Sequence, residues 1–281
     1  MNFIRQLLNT LVYSNLFIAA CAVLMTRQTA MLWLPAYPDH QLLSFVFSST
    51  LTAYCFHYYF TSPSPQHAQR NAWNKKGRIL LVILFVLGLA GTIYWFIPLI
   101  NHWPLLVPAA IATFLYTAPQ LPQPIFIRLR KYAYGKTIFL ALIWTYVTAV
   151  LPLLLADELW TPDFNLYISS RYFFIYCICI LFDERDREQD RMNGVKSLIT
   201  YLSGKGIRRL FIFSWLAHII LTLFLLTGGL TITNILILLA PALLLLLVYP
   251  RAQQKPTDLF YYLVLDGLLA LSALLLLVAR I

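Results

Sequence analysis

Long apolar stretches separated by short polar ones run the length of this chain, and the lengths of the stretches carry the first information. Nine segments are almost free of charge: 8–26, 41–60, 79–98, 103–118, 137–156, 165–182, 210–228, 231–249 and 258–279. At the helical rise of ~1.5 Å per residue, about 20 residues cover the ~30 Å hydrocarbon core of a bilayer. The pattern therefore predicts an all-α, polytopic membrane protein with nine transmembrane helices. The fourth segment is short, and is expected to tilt or to sit partly re-entrant. Nine spans use most of the 281 residues, so the expectation is one transmembrane domain over 1–281 with no separate soluble domain.

Composition agrees. The chain is 60% hydrophobic and 11% charged, with a mean hydropathy of +0.72, more apolar surface than a soluble domain of this size needs. A net charge of +10 would fit nucleic acid if the cations were clustered, but they fall instead in alternate loops. Eighteen of the 21 cations lie in the N-terminal segment and the loops after segments two, four, six and eight. Cytoplasmic loops carry an excess of Lys and Arg, so the expected topology is N-terminus inside and C-terminus outside, with no nucleic-acid partner. The four cysteines, Cys21, Cys55, Cys177 and Cys179, sit within the apolar segments without metal-ligand spacing and read as buried side chains. Ile18-Ala-Ala-Cys21 has the look of a lipoprotein cleavage site, but the apolar run continues through Met25 and reads as an uncleaved first span.

Carboxylates are scarce, yet five of the eleven acids crowd into eight positions: Asp183, Glu184, Asp186, Glu188 and Asp190. If the sixth span continues as a helix, Asp183, Asp186 and Asp190 point within about 60° of one another. Three carboxylates on one face at a membrane boundary make a good site for a divalent cation. The simpler alternative is a solvated helix in which Arg185, Arg187 and Arg191 pair with the acids at helical spacing, each pair contributing only ~0.2–0.5 kcal/mol.

The segment Asp183-x-x-Asp186-x-x-x-Asp190-Arg191-Met-Asn-Gly194-Val-Lys196-Ser197-Leu198 resembles the second aspartate-rich motif of the UbiA-type intramembrane prenyltransferases, and it follows the sixth span, as in that superfamily. Tyr116-Thr-Ala-Pro119 and Leu129-Arg-Lys131 resemble a second, weaker stretch of the same family. The resemblance implies a nine-helix bundle and transfer of a prenyl group from an isoprenoid diphosphate to a lipophilic or aromatic acceptor within the bilayer. It implies Mg²⁺ on Asp183, Asp186 and Asp190, with Arg128, Arg130, Lys131, Arg191 and Lys196 as candidate phosphate contacts. The location expected with it is a bacterial plasma membrane.

One element of the family pattern is missing. Its first aspartate cluster belongs at the inward end of span two, where this chain reads Tyr54-Cys-Phe-His57-Tyr58 and has no acid between Asp39 and Asp157. His57, flanked by Tyr54 and Tyr58, is the polar constellation at that place, either a substrate-binding group or an interfacial histidine among belt aromatics. The missing cluster keeps a second reading open: a catalytically inactive, lipid-binding or accessory member of the family. Three further polar groups are embedded in spans: Asp266, His218 and Arg171. Asp266 and His218 are expected either to hydrogen-bond inside the bundle or to serve a site, and Arg171 either to snorkel outward or to pair within the bundle.

Overall fold

The computed structural model describes residues 3–35, 40–61, 67–121 and 135–279. Within these residues the chain is helical throughout, without strands. The helices are α1 (Phe3–Tyr13), α2 (Leu16–Trp33), α3 (His40–Phe60), α4 (Ala68–Lys76), α5 (Arg78–Phe96) and α6 (Trp103–Thr117). They continue as α7 (Lys136–Leu155), α8 (Pro162–Met192), α9 (Leu198–Tyr201), α10 (Gly204–Phe224), α11 (Ile232–Gln253) and α12 (Phe260–Ala279).

Seven of these, α2, α5, α7, α8, α10, α11 and α12, are long and apolar enough to cross a membrane, so the chain is a multi-pass, all-α membrane protein. The other two predicted spans are helical, but α6 has only 15 residues and α3 is diluted by Gln41, Ser48, Thr52 and His57. The first span also differs from its expected bounds of 8–26. Asn15 takes a left-handed conformation (φ 69°), which breaks the helix and leaves α1 as a separate amphipathic segment. The apolar run on both sides masks this break, although Ser14-Asn15 stands at it.

Eight helices close into a ring in the order α3, α2, α12, α11, α10, α8, α7, α6, and α5 packs outside against α3. Helix α5 is only 11% buried within the protein and faces lipid with Ile79, Val86, Leu87 and Ile93. Its contact with α3 is close because Gly88 and Gly91 meet Thr52 and Ser48, the small-residue packing that membranes favour. Helix α8 is the most buried of the seven span-length helices, at 67%. Every residue from Phe174 to Leu181 is buried, so this stretch is apolar on all faces. At 31 residues α8 is about 46 Å long, exceeding the ~30 Å hydrocarbon core, and its last turns carry the acidic run beyond the apolar zone.

Two helices contain wide π turns, Tyr146–Val150 in α7 and Phe260–Leu265 in α12. Such turns leave carbonyl groups without their usual partner and are frequent at functional sites. Both lie beside polar clusters inside the ring.

Candidate functional site

The acidic run continues α8 as the spacing predicts, and the ring brings other elements to it. Lys136, at the first turn of α7, places its Nζ 3.3 Å from Asp183 Oδ1 and 3.2 Å from Asp190 Oδ2. Thr137 donates its hydroxyl to the other oxygen of Asp183. Asp183 is buried, and Asp190 is half-buried. Two carboxylates seven residues apart on one helix face thus converge on a single cationic position, fixed by the helix that packs beside them.

Asp186 is turned to the other flank. Arg185 reaches it with two parallel bonds, Nε to Oδ1 at 2.8 Å and Nη2 to Oδ2 at 3.2 Å, and His67 Nε2 lies 3.4 Å from Oδ1. A carboxylate only accepts, so the His67 proton sits on Nε2 and its Nδ1 accepts from the Tyr262 hydroxyl at 3.0 Å in the neutral ring. The Arg185 guanidinium is buried against the Tyr261 ring, 4.4 Å from its centroid, where a cation is attracted by the aromatic face. Asp183 and Asp190 therefore share Lys136, while Asp186 belongs to an Arg185–His67–Tyr262 group. Among the described residues no three His, Cys, Asp or Glu side chains gather closely enough to hold a metal ion.

The remaining candidates are spread around the same mouth. His57 meets Thr117 through Nδ1 at 3.3 Å and stacks on Tyr116, with centroids 5.6 Å apart. The Tyr54 hydroxyl accepts from Trp144 Nε1 at 3.1 Å. Tyr58 lies under the guanidinium of Arg70, 3.2 Å from its ring centroid. Arg191 gives Nε and Nη2 to the Thr200 carbonyl at 2.8 and 2.6 Å, which closes the turn after α8 around the Ser197–Thr200 capping box. Lys196 is exposed on that turn. Arg128, Arg130 and Lys131 lie outside the described residues.

Arg70, in the first turn of α4, packs against the end of α3 at Tyr58. It is buried, donates to Asn15 Oδ1 at 2.5 Å, and faces the rings of Tyr58 and Tyr262. The Asp258 carboxylate accepts from the Arg70 backbone N–H at 3.0 Å and so caps the first turn of α4, favourably placed at a helix N-terminus. Next to Arg70 is a small space lined by Asn15, Tyr54, Tyr58, Tyr262 and the buried Asp266. The sequence reading left out Lys136, Thr137, His67, Arg70, Arg185 and Tyr262 as site residues. For Lys136 and His67 the available signal was position: each stands in or next to a basic loop at the mouth the acidic run occupies.

Compared with protein-family models, with characterised proteins and with solved structures, the chain has no match to any of them.

Proposed function

We propose that this chain is a UbiA-type prenyltransferase with nine crossings, α3 and α6 included, and its acidic mouth on the cytoplasmic side. It would transfer a prenyl group from an isoprenoid diphosphate to a lipophilic or aromatic acceptor in the bilayer. The observation that carries this reading is the convergence of Asp183 and Asp190 on one cationic position, 3.3 and 3.2 Å from Lys136 Nζ. Mg²⁺ binds through one or two carboxylates plus substrate phosphates and water, and this donor set fits that demand. In this reading Asp183 and Asp190 would hold the metal, with Asp186, paired with Arg185 and His67 in this structure, as a third candidate ligand. The metal's contribution is to neutralise the oxygens of the departing diphosphate.

The protein's own residues do the rest. Thr137 fixes the orientation of Asp183 through its hydroxyl. Lys136, displaced from the carboxylates by the metal, would be free to pair with a phosphate oxygen. His67 and Arg185 add donors on the opposite flank. The prenyl tail would run into the ring past Tyr54, Tyr58, Tyr116 and Trp144, whose faces can attract the positive charge that develops on an allylic carbon. The test is diphosphate release from isoprenoid diphosphates of several lengths with candidate acceptors, with and without Mg²⁺. The proposal expects release that needs Mg²⁺ and falls at least 100-fold in Asp183→Asn, a loss typical of a removed charge-stabilising group.

One observation favours a second reading. Arg70 and its aromatic neighbours pack against the end of α3 where the family pattern expects its first acidic cluster. A non-catalytic, lipid-binding member of the family would retain isoprenoid diphosphate without releasing diphosphate under any condition.

A further inference from the structure

At the opposite half of the ring from the acidic mouth, a second polar cluster sits among the spans. Its centre is Arg171, nine residues and about 14 Å into α8 from Pro162, and only 6% exposed. The guanidinium donates through Nη1 to the carbonyls of Met25 at 2.8 Å and Thr148 at 3.2 Å. Through Nη2 it donates to Gln28 Oε1 at 2.6 Å and to the Tyr167 hydroxyl. The Thr148 carbonyl belongs to the π turn of α7, which explains how a mid-span backbone oxygen is free to accept. All four partners are neutral. Among the described residues no carboxylate forms an ion pair with Arg171.

A guanidinium buried in a membrane-spanning bundle without a counter-charge is costly, and buried charges are ordinarily paired. Beside it lies a cavity of about 20 Å³ lined by Gln28, Ser170, Arg171, Phe174, His218 and Ser272, enough for one or two water-sized particles. Gln28 is held with its oxygen towards Arg171 and Ser272, so its orientation is fixed. Its Nε2, on a side chain 1% exposed, has no hydrogen-bond partner. His218 contributes differently. Its Nδ1 lies 3.0 Å from the Ser170 carbonyl and 2.9 Å from the Ser170 hydroxyl, which holds the ring against α8 at the edge of the cavity.

We propose that Arg171 and Gln28 form a binding site for a small monovalent anion of halide size inside the helix ring, with chloride as the natural probe. The cationic guanidinium supplies the charge and the Gln28 amide supplies a directed donor. The size of the cavity excludes a phosphate or an aromatic carboxylate. This site is independent of the prenyltransferase reading, since it shares no residue with the acidic mouth.

The test uses the whole protein, purified in detergent, at constant ionic strength with sodium gluconate replaced stepwise by sodium chloride or bromide. Wild type is expected to show a saturable rise in Tm of roughly 3–6 °C, as mass action predicts for a ligand bound only by the folded state. Gln28→Glu places a carboxylate against Arg171 without changing shape, and is expected to fold and to lose that rise completely. A bromide anomalous-scattering peak beside Arg171 in the wild-type protein is the direct counterpart. A wild-type Tm indifferent to halide, or a halide response that survives in Gln28→Glu, overturns the proposal and leaves the cavity to water.

Discussion

Asp183 and Asp190 stand seven residues apart on α8 and present one carboxylate oxygen each to the same ammonium, at 3.3 and 3.2 Å from Lys136 Nζ. Two helical turns carry them to the same side of the helix, and α7 supplies the cation between them. In water such contacts contribute little, but Asp183 is buried and Lys136 is only 23% exposed, so screening is weak. The geometry makes the two acids a unit sharing one cation rather than a row of solvated charges.

Lys136→Met removes that cation and leaves two carboxylates facing each other. In the absence of divalent ions the variant should be less stable than wild type by about 2–3 kcal/mol, the cost of an unpaired, partly buried charge. Adding millimolar Mg²⁺ should restore much of this loss. Thermal unfolding in detergent with Mg²⁺ or EDTA measures both effects, and stability equal to wild type in EDTA would show that the lysine is not a structural cation.

On the other flank, Asp186→Asn leaves Arg185 buried at 4% exposure without its charge partner. Removing one member of a buried pair is expected to cost about 3 kcal/mol. Asp186→Asn should therefore be at least as destabilising as Asp190→Asn, although Asp190 has the shared cation. A comparison of the two Tm values decides the order.

Arg70 links α4 to the Asn15 break and to three tyrosine rings. Arg70→Leu should free α4 while the spans remain folded. Limited proteolysis then cuts near Lys75 and Lys76 well before it cuts wild type, and unchanged cleavage would deny Arg70 its clamping role.

The α3–α5 contact makes a test of packing alone. A Cβ at Gly88 would lie 2.7 Å from Thr52 Oγ1 and 3.2 Å from the Ser48 carbonyl, so Gly88→Leu must push the helices apart. Overpacking of this kind costs about 1–3 kcal/mol, read as a lower Tm, whereas Gly135→Leu, with open space around it, should leave packing unaffected.

Much of the helix plan was legible in the residues, because apolar runs of span length admit few alternatives in a bilayer. The extension of α8 through Asp190 also follows from spacing, since nothing between Phe182 and Met192 breaks a helix. The break at Asn15 was missed: the Ser14-Asn15 pair marks it, since Asn readily adopts the left-handed conformation, but the apolar run around it reads as one span. Nor was the division of the three aspartates. Helical spacing puts them on one face, but which cation each meets depends on Lys136 and His67, which are 47 and 116 positions before Asp183 in the chain and arrive only through the ring closure.

Calorimetric titration of a short isoprenoid diphosphate into the purified protein tests the central claim most directly. With Mg²⁺ present, binding should be tight in wild type and should weaken at least 100-fold in the Asp183→Asn, Asp190→Asn double variant. In EDTA, wild type itself should bind no better than that variant. Binding that is equal with and without Mg²⁺, and unchanged when both carboxylates are removed, would contradict the account.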